Sequence, residues 1–439
     1  MSSCDPAVIE APDRSIQSGW RRMFSGSDQG KAHQRILGGG LIMLVSSALV
    51  ALLNFGYNVQ MAQRLGPANF GHVATVITLL LIGSSLTLAF QIVCAKFVAR
   101  NQAPGAKAAV FHSLLRRAWR VALGAAIAIC LVSVPLAHYL NLPSPWILVL
   151  LAAGIAFYIP LGVKRGTFQG TCAFPRLAGN FTLEAASKFL LAFLLVTWFG
   201  VMGAVAAIVL SVIIAYWLPR PAQLFRTKSE LQIPTSPREA LQAVLFFTGQ
   251  VIILNADMIV VKHLFPPAQA GAYAAVALVG RVLFYASWSV IGAMFPVSAE
   301  AGQHGAKRSL LIIPTVLVLG MFLGFIGLVW LFPTSIMRAI FGPGFELAEP
   351  LLVIYAASTA AYALSAMMMA YEMSHKIANT GWLQMVAGLL VFSGIYLFHS
   401  SLREVVIVLT TVMVALLAAV LVPFLRSVER PPVAAQEAA

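Results

Sequence analysis

The stretch Ile252–Pro296, IILNADMIVVKHLFPPAQAGAYAAVALVGRVLFYASWSVIGAMFP, limits what this chain can become more than any other. Two apolar segments flank a short break, LFPPAQAG. Each is long enough to cross a bilayer as a helix, because a hydrocarbon core about 30 Å thick takes about 20 residues at 1.5 Å rise. Asn255, Asp257 and Arg281 lie inside this apolar hairpin. A charge at membrane depth costs at least ~2.5 kcal/mol, so it persists where it is paired, hydrated or functional. Counted from Pro267, Asp257 lies about 10 residues back and Arg281 about 14 residues on, which separates their levels by roughly 6 Å. Asn255 is closer in level. An Arg side chain spans that offset, so the spacing predicts an Asp257–Arg281 or Asn255–Arg281 contact.

The hairpin has an earlier echo at an offset of 200 residues. Leu65-Gly66-Pro67-Ala68-Asn69-Phe70-Gly71 aligns with Phe265-Pro266-Pro267-Ala268-Gln269-Ala270-Gly271, and Ala74 with Ala274. Proline, alanine, a side-chain amide and glycine match in register. In a hydrophobic chain such self-similarity points to duplicated halves.

Composition fits that reading. The 439 residues are 60% hydrophobic and 10% charged, whereas soluble domains are roughly 25% charged. The pattern is that of an all-α integral membrane protein. The net charge of +14 comes from dispersed residues rather than a basic arm interleaved with aromatics, so no nucleic-acid partner is expected. The four cysteines, Cys4, Cys94, Cys130 and Cys172, form no CxxC and no zinc-type spacing with the eight histidines. No metal or cofactor is expected. Residues 1–37 have no apolar core, so the first span is expected to act as an uncleaved insertion signal.

Hydrophobic runs and turn residues predict 12 spans, at about 38–62, 71–98, 118–140, 145–168, 178–199, 202–219, 239–264, 271–298, 308–332, 347–371, 377–399 and 402–425. Breaks fall at Gly66-Pro67, Leu142-Pro143, Pro266-Pro267 and Phe341-Gly342-Pro343-Gly344. The expected organisation is a tail (1–37), a six-helix lobe (38–219), a hydrophilic linker (220–238) with Arg220, Arg226, Lys228 and Arg238, a second six-helix lobe (239–425), and a C-terminal tail (426–439). Small residues within spans, at Gly56, Gly83, Gly154 and the Gly320/Gly324/Gly327 series, predict close helix packing. Bending during transport is the alternative, and Pro160, Pro296 and Pro314 raise it too. Most of the 29 Lys and Arg residues fall on the side of the membrane that holds the tails and linker. The positive-inside rule therefore puts both termini in the cytosol. Loops on the other side are short, the longest near Phe332–Leu347, which excludes a large external catalytic domain.

Three stretches carry a family likeness: LGPANFG after span one, NADMIVVKHLFPPAQAGAYAAVALVGRV across spans seven and eight, and IFGPGFELAEPLLVIYA before span ten. In order and spacing, over about residues 36–425, the chain resembles the polysaccharide (O-antigen and exopolysaccharide) flippases of the multidrug/oligosaccharidyl-lipid/polysaccharide exporter superfamily. The resemblance implies two pseudo-symmetric lobes facing each other across a central cavity in a bacterial inner membrane. It also implies transport of a lipid-linked oligosaccharide from the cytosolic to the outer leaflet, with membrane lipids, a polysaccharide polymerase and glycosyltransferases as partners.

On that reading Arg281 is the leading substrate-binding residue. A guanidinium stays ionised and donates a fork of hydrogen bonds suited to a diphosphate; the alternative is a structural pair with Asp257. Asp257 either binds a coupling H⁺ or Na⁺ or serves as a plain charge partner for Arg281 or Lys262. Glu184 and Lys188 sit one above the other on span five, either neutralising one another or lining the cavity. Gln91, Lys96 and Arg100 recur on span two, with the basic pair either snorkelling to the surface or forming a basic mouth that recruits the diphosphate. Lys164, Arg165 and Arg176 pose the same choice and fit topology better. Tyr285 and Trp288 fit packing or lipid contact better than stacking on sugars.

Two other functions compete with a flippase. A multidrug or cation antiporter of the same superfamily needs a free carboxylate deep in the N-terminal lobe, where only Glu184 is present. A membrane polymerase, ligase or glycosyltransferase needs paired carboxylates or Arg/His groups on large outer loops, which this chain lacks. No GxxxxGK[ST] loop occurs, so ATP-driven transport is not expected. The topology is tested with cytosol- and periplasm-specific reporters fused at either terminus and at Gly342. The terminal fusions should report the cytosol and the Gly342 fusion the opposite side; the reverse pattern overturns the orientation.

Overall fold

The structure is a computed structural model that describes residues 27–101, 103–218, 237–301, 309–374 and 381–426. Cys4, Arg220, Arg226, Lys228 and the side chains of Arg238 and Trp288 lie outside what it describes. The helices are α1 (Ser27–Arg100), α2 (Pro104–Leu131), α3 (Ser133–Tyr139), α4 (Trp146–Gly170), α5 (Phe174–Trp217), α6 (Pro237–Leu264) and α7 (Pro267–Ala301), then α8 (Ser309–Leu331), α9 (Pro333–Phe341), α10 (Leu352–Ser374), α11 (Gly381–Leu397) and α12 (Leu402–Arg426). A 3₁₀ turn, Glu346–Leu351, joins α9 to α10.

Two helices hold two crossings each. α1 is broken at Gly66 (φ 70°, ψ 175°) and α5 at Gly200 (φ 53°, ψ −127°). Both glycines occupy backbone regions that a Cβ disfavours, which lets the chain reverse without a loop. α2 and α3 form one span bent by 63°. With α4, α6, α7, α8, α10, α11 and α12 this makes, besides the short α9, twelve helical segments among the described residues, six in α1–α5 and six in α6–α12, in the order the sequence predicts. α1 runs back to Ser27, further than the expected first span.

Within the first lobe, a row of three glycines sets α4 tightly against the second limb of α1. Gly162, Gly166 and Gly170 lie on the carbonyls of Thr87, Gln91 and Ala95, where an added Cβ would come within 2.3, 2.3 and 2.6 Å. The expectation that Gly320, Gly324 and Gly327 pack a helix is wrong. Nothing lies within 4 Å of a Cβ built on any of them, because α8 is largely a lipid-facing surface helix whose neighbours lie on another side. Gly56, Gly83 and Gly154 do meet neighbouring helices, at Phe189, Ile155 and Val209.

The lobes join where the two repeated hairpins turn, a side called here the turn face. A Cβ at Gly271 would lie 1.7 Å from the Pro67 carbonyl oxygen, and one at Gly71 would lie 3.0 Å from the Gly271 nitrogen and 3.1 Å from the Pro267 carbonyl oxygen. The contact is reciprocal about a local twofold, so the sequence echo is itself the interface. Phe70 packs edge-on to Phe345 (5.9 Å) and near Phe341 (6.3 Å). The segment expected as a plain loop near Phe332–Leu347 therefore carries a helix, α9, that caps this seam. Gln63 donates to the Ile340 carbonyl (2.8 Å). Tyr139 stacks on His263 (3.8 Å), whose Nδ1 donates to the Tyr139 carbonyl (2.7 Å). Asn141 donates to the carbonyls of Lys262 and His263. All of these contacts lie at the turn face. Further along α1, Cys94, Phe97 and Val98 belong to the first lobe's own core.

Gly271→Ala drives a methyl into the Pro67 carbonyl. It is expected to cost about 1–3 kcal/mol as overpacking, read as a lower thermal unfolding temperature of the purified protein. Gly320→Ala, with open space around it, is the control and should be neutral or slightly stabilising.

Candidate functional site

The expected contact in the second lobe is present in both of its forms. Arg281 Nη2 donates to both Asp257 carboxylate oxygens (2.7 and 2.8 Å), Nη1 to Asn255 Oδ1 (3.2 Å), and Nε to the Tyr355 hydroxyl (2.7 Å). The hydroxyls of Tyr273 and Tyr355 each donate to Asp257 Oδ2 at 2.8 Å. α6 supplies Asn255 and Asp257, α7 supplies Tyr273 and Arg281, and α10 supplies Tyr355. Asp257 is fully buried and Arg281 is 9% exposed, so the guanidinium points into the bundle rather than to lipid. Gly280 makes room for the network, because a Cβ there would fall 2.4 Å from the Tyr355 ring.

The physical logic is that of a buried ion pair. Two charges at this depth are tolerable only when the remaining lone pairs and N–H groups are also satisfied. The two tyrosines and Asn255 do that. Tyr273 and Tyr355 were not singled out in the sequence, although both fall in the family-like stretches.

The first lobe has a second buried polar network. Arg165 forms a salt bridge with Glu184 and donates through Nε to Asn180 Oδ1 (2.7 Å). Asn180 in turn donates to the Ala215 carbonyl (2.7 Å). Lys188 donates to Asn54 Oδ1 on α1 and lies 5.1 Å from the Tyr57 ring centroid. The expected Glu184–Lys188 neutralisation is therefore corrected: both sit on one face of α5, yet each has a partner on a different neighbouring helix. The topological reading of Lys164 and Arg165 is corrected too. Both are buried, and Lys164 donates to the Tyr216 carbonyl with its Nζ 3.6 Å from that ring's centroid. Gln91 is buried and donates to Gln169 Oε1 (3.1 Å). Lys96 is half-buried and Arg100 exposed at the end of α1, which suits snorkelling and a basic mouth equally. Tyr285 is exposed on the bundle surface. The two networks belong to separate lobes, so the structure does not bring Glu184 or Lys188 to Arg281. Among the described residues no three His, Cys, Asp or Glu side chains gather as a metal site would need.

No family model matches the sequence, and no curated protein does. Solved structures do resemble it. A multidrug-resistance transporter of the MATE family and MOP superfamily, in its inward-facing conformation, superposes with a TM-score of 0.68 at 13% identity, covering 88% of this chain and 96% of that one. The lipid II flippase MurJ in an inward closed conformation gives 0.70 at 12% identity, covering 90% and 88%. An outward-facing MATE transporter gives 0.57 at 13% identity, covering 88% and 93%. At these identities the likeness is one of fold: twelve membrane-crossing helices in two lobes around a central cavity.

Replacing Arg281 by Ala leaves Asp257 buried without a counter-charge, at an expected cost of about 3–5 kcal/mol. The pair Asp257→Asn with Arg281→Gln removes both charges. It should recover most of the lost thermal stability, and a double-mutant cycle measures the coupling.

Proposed function

We propose that the chain is a flippase that moves a lipid-diphosphate-linked oligosaccharide across a bacterial cytoplasmic membrane, from the cytosolic to the outer leaflet, by alternating access. The observation that carries this reading is the sign of the buried charge. Arg281, Arg165, Lys164 and Lys188 lie within the two lobes, against Asp257 and Glu184. Each carboxylate is already held by an arginine, so the surplus is cationic and suits an anionic head group. Arg281 retains N–H capacity on Nη1 beyond its single bond to Asn255, and a diphosphate can compete with Asp257 for the same fork.

The lobes meet at the turn face, which the basic-residue bias makes the outer side. A seam closed outside is the state that receives substrate from the cytosol, and the inward-facing MATE structure superposes better than the outward-facing one. Two negative charges moving out of a cytosol-negative compartment gain roughly 4–5 kcal/mol per 100 mV, to which a coupled H⁺ or Na⁺ adds. Polymerase and glycosyltransferases acting before and after this step complete polysaccharide synthesis.

A multidrug or cation antiporter has the same fold, as the MATE likeness illustrates. The commitment of Glu184 to Arg165 weighs against it, because a cationic drug needs an unpaired carboxylate.

The test is leaflet accessibility of a defined lipid-diphosphate-oligosaccharide in vesicles with and without the protein. The natural chain should expose the sugar on the opposite leaflet. Arg281→Lys should keep a reduced rate, and Arg281→Ala should lose more than about tenfold if one charge-assisted contact worth at least 1.4 kcal/mol is removed from the transport step. Efflux of organic cations with no movement of the lipid-linked sugar would favour the antiporter.

A further inference from the structure

Two buried basic groups lie in the seam with no counter-charge among the described residues. Lys262, near the end of α6, is fully buried, and its Nζ has no hydrogen-bond partner among the described residues. His72, just past the Gly71 contact on α1, is also buried, and its Nδ1 likewise lacks a partner among them. They come from opposite lobes, His72 next to the Gly71–Gly271 contact and Lys262 in the last turn of α6, just before the Pro266-Pro267 break.

The neighbouring elements supply no acid to compensate. From α3 and the turn after it come Tyr139, stacked on His263, and Asn141, whose amide is spent on backbone carbonyls. From α11 comes Tyr396, which lies near Tyr139. From α7 comes Tyr273, bound to Asp257, and Asp257 itself is held by Arg281 further back on α6. Glu404, at the start of α12, accepts from the Ser400 N–H at its own helix end. Arg64 on α1 donates to the Phe193 carbonyl and Thr197. Among the described residues, then, no carboxylate pairs with either group.

We propose that Lys262 and His72 form a proton-binding site that governs the seam: the closed seam holds both groups neutral, and protonation from the turn face drives the lobes apart. An ammonium or imidazolium shut into an apolar seam without an acceptor carries a desolvation cost of several kcal/mol, and two like charges there repel as well. Opening the seam hydrates both groups and removes the two penalties. The open state thus binds more protons than the closed state, so by linkage falling pH favours opening and rising pH favours closure. The inference rests on the alternating-access reading above and names H⁺, rather than Na⁺, as the ion the seam answers to.

The experiment measures seam opening directly, without any lipid-linked sugar, so its result is independent of what the protein carries. Spin labels are placed at Asn69→Cys and Gln269→Cys, exposed and equivalent positions on the two turns, in the full chain with its native cysteines replaced and held in lipid nanodiscs. Between about pH 9 and about pH 5 the longer-distance population should grow, by up to about tenfold per pH unit for each proton taken up on opening. Lys262→Met with His72→Gln should flatten the profile. Lys262→Arg, charged throughout this range, should hold the seam open even at alkaline pH. His263→Gln should leave the pH response in place. A pH-independent distance in the unsubstituted seam overturns the proposal whether or not the variants fold. So does a response that survives the double substitution, or one that vanishes with His263→Gln.

Discussion

Two glycines with no side chain between them, Gly71 and Gly271, set how closely the halves of this protein approach. Backbone meets backbone there, and Pro67 and Pro267 fix the carbonyls against which each glycine rests. Any larger residue at Gly271 would hold the lobes apart and unseat the aromatic cap of Phe70, Phe341 and Phe345. The named contacts between the lobes gather in this patch at one end, an arrangement that suits the rocking proposed above. Interfaces of small residues suit that use, since they give tight contact without interlocked side chains that would have to be pulled apart. The twofold character follows from the repeat: if one hairpin turn can lie against a copy of itself, duplication supplies both surfaces at once.

Hydrocarbon imposes the second constraint. Away from the seam, each lobe keeps its charges by surrounding them with polar partners from several helices. Asp257 accepts from Arg281, Tyr273 and Tyr355, so three helices are tied by one carboxylate. Arg165 ties α4 to α5 through Glu184 and Asn180, and Lys188 ties α5 to α1 through Asn54. In lipid, where apolar side chains gain nothing by leaving the bilayer for one another, such bonds contribute specificity that the hydrophobic effect cannot. Lys262 departs from this pattern. It is buried without a partner among the described residues, at the interface between the lobes.

Much of this arrangement is readable in the sequence, for definite reasons. Crossing segments announce themselves because about 20 apolar residues in a row have few other uses, and the breaks at Gly66, Pro266 and Gly342 have residue types suited to reversal. The Asp257–Arg281 contact follows from a hairpin whose turn fixes the relative level of its two strands of helix. What fails is partner choice between distant helices. Glu184 and Lys188 look like a pair because local spacing is all that a sequence displays, yet Arg165 and Asn54 reach them from α4 and α1. Tyr355 joins Asp257 across α10 and α6, a meeting that no periodicity encodes. The glycines of α8 mislead for a related reason. Spacing shows that small residues share a face, but not whether a helix or lipid lies opposite.

The α6–α7 hairpin unites these points. It carries Asn255, Asp257 and Arg281 of the buried network, Lys262 at the seam and Gly271 at the point of contact. Asp257 and Lys262 are on one helix, separated by roughly 7–8 Å of axial rise, and Tyr273 bonds to Asp257 from just beyond Gly271. A helix transmits displacement along its axis with little give, so on the transport reading proposed above an anion that pulls Arg281 from Asp257 shifts the hairpin at the seam. On the same reading, a charge entering at Lys262 loosens the helix end that positions Asp257. Reciprocity of this kind is required thermodynamically whenever two sites bias one two-state element. On the proposed reading the α6–α7 hairpin is that element, with the ion pair inside the second lobe and Lys262, without a partner among the described residues, at the seam.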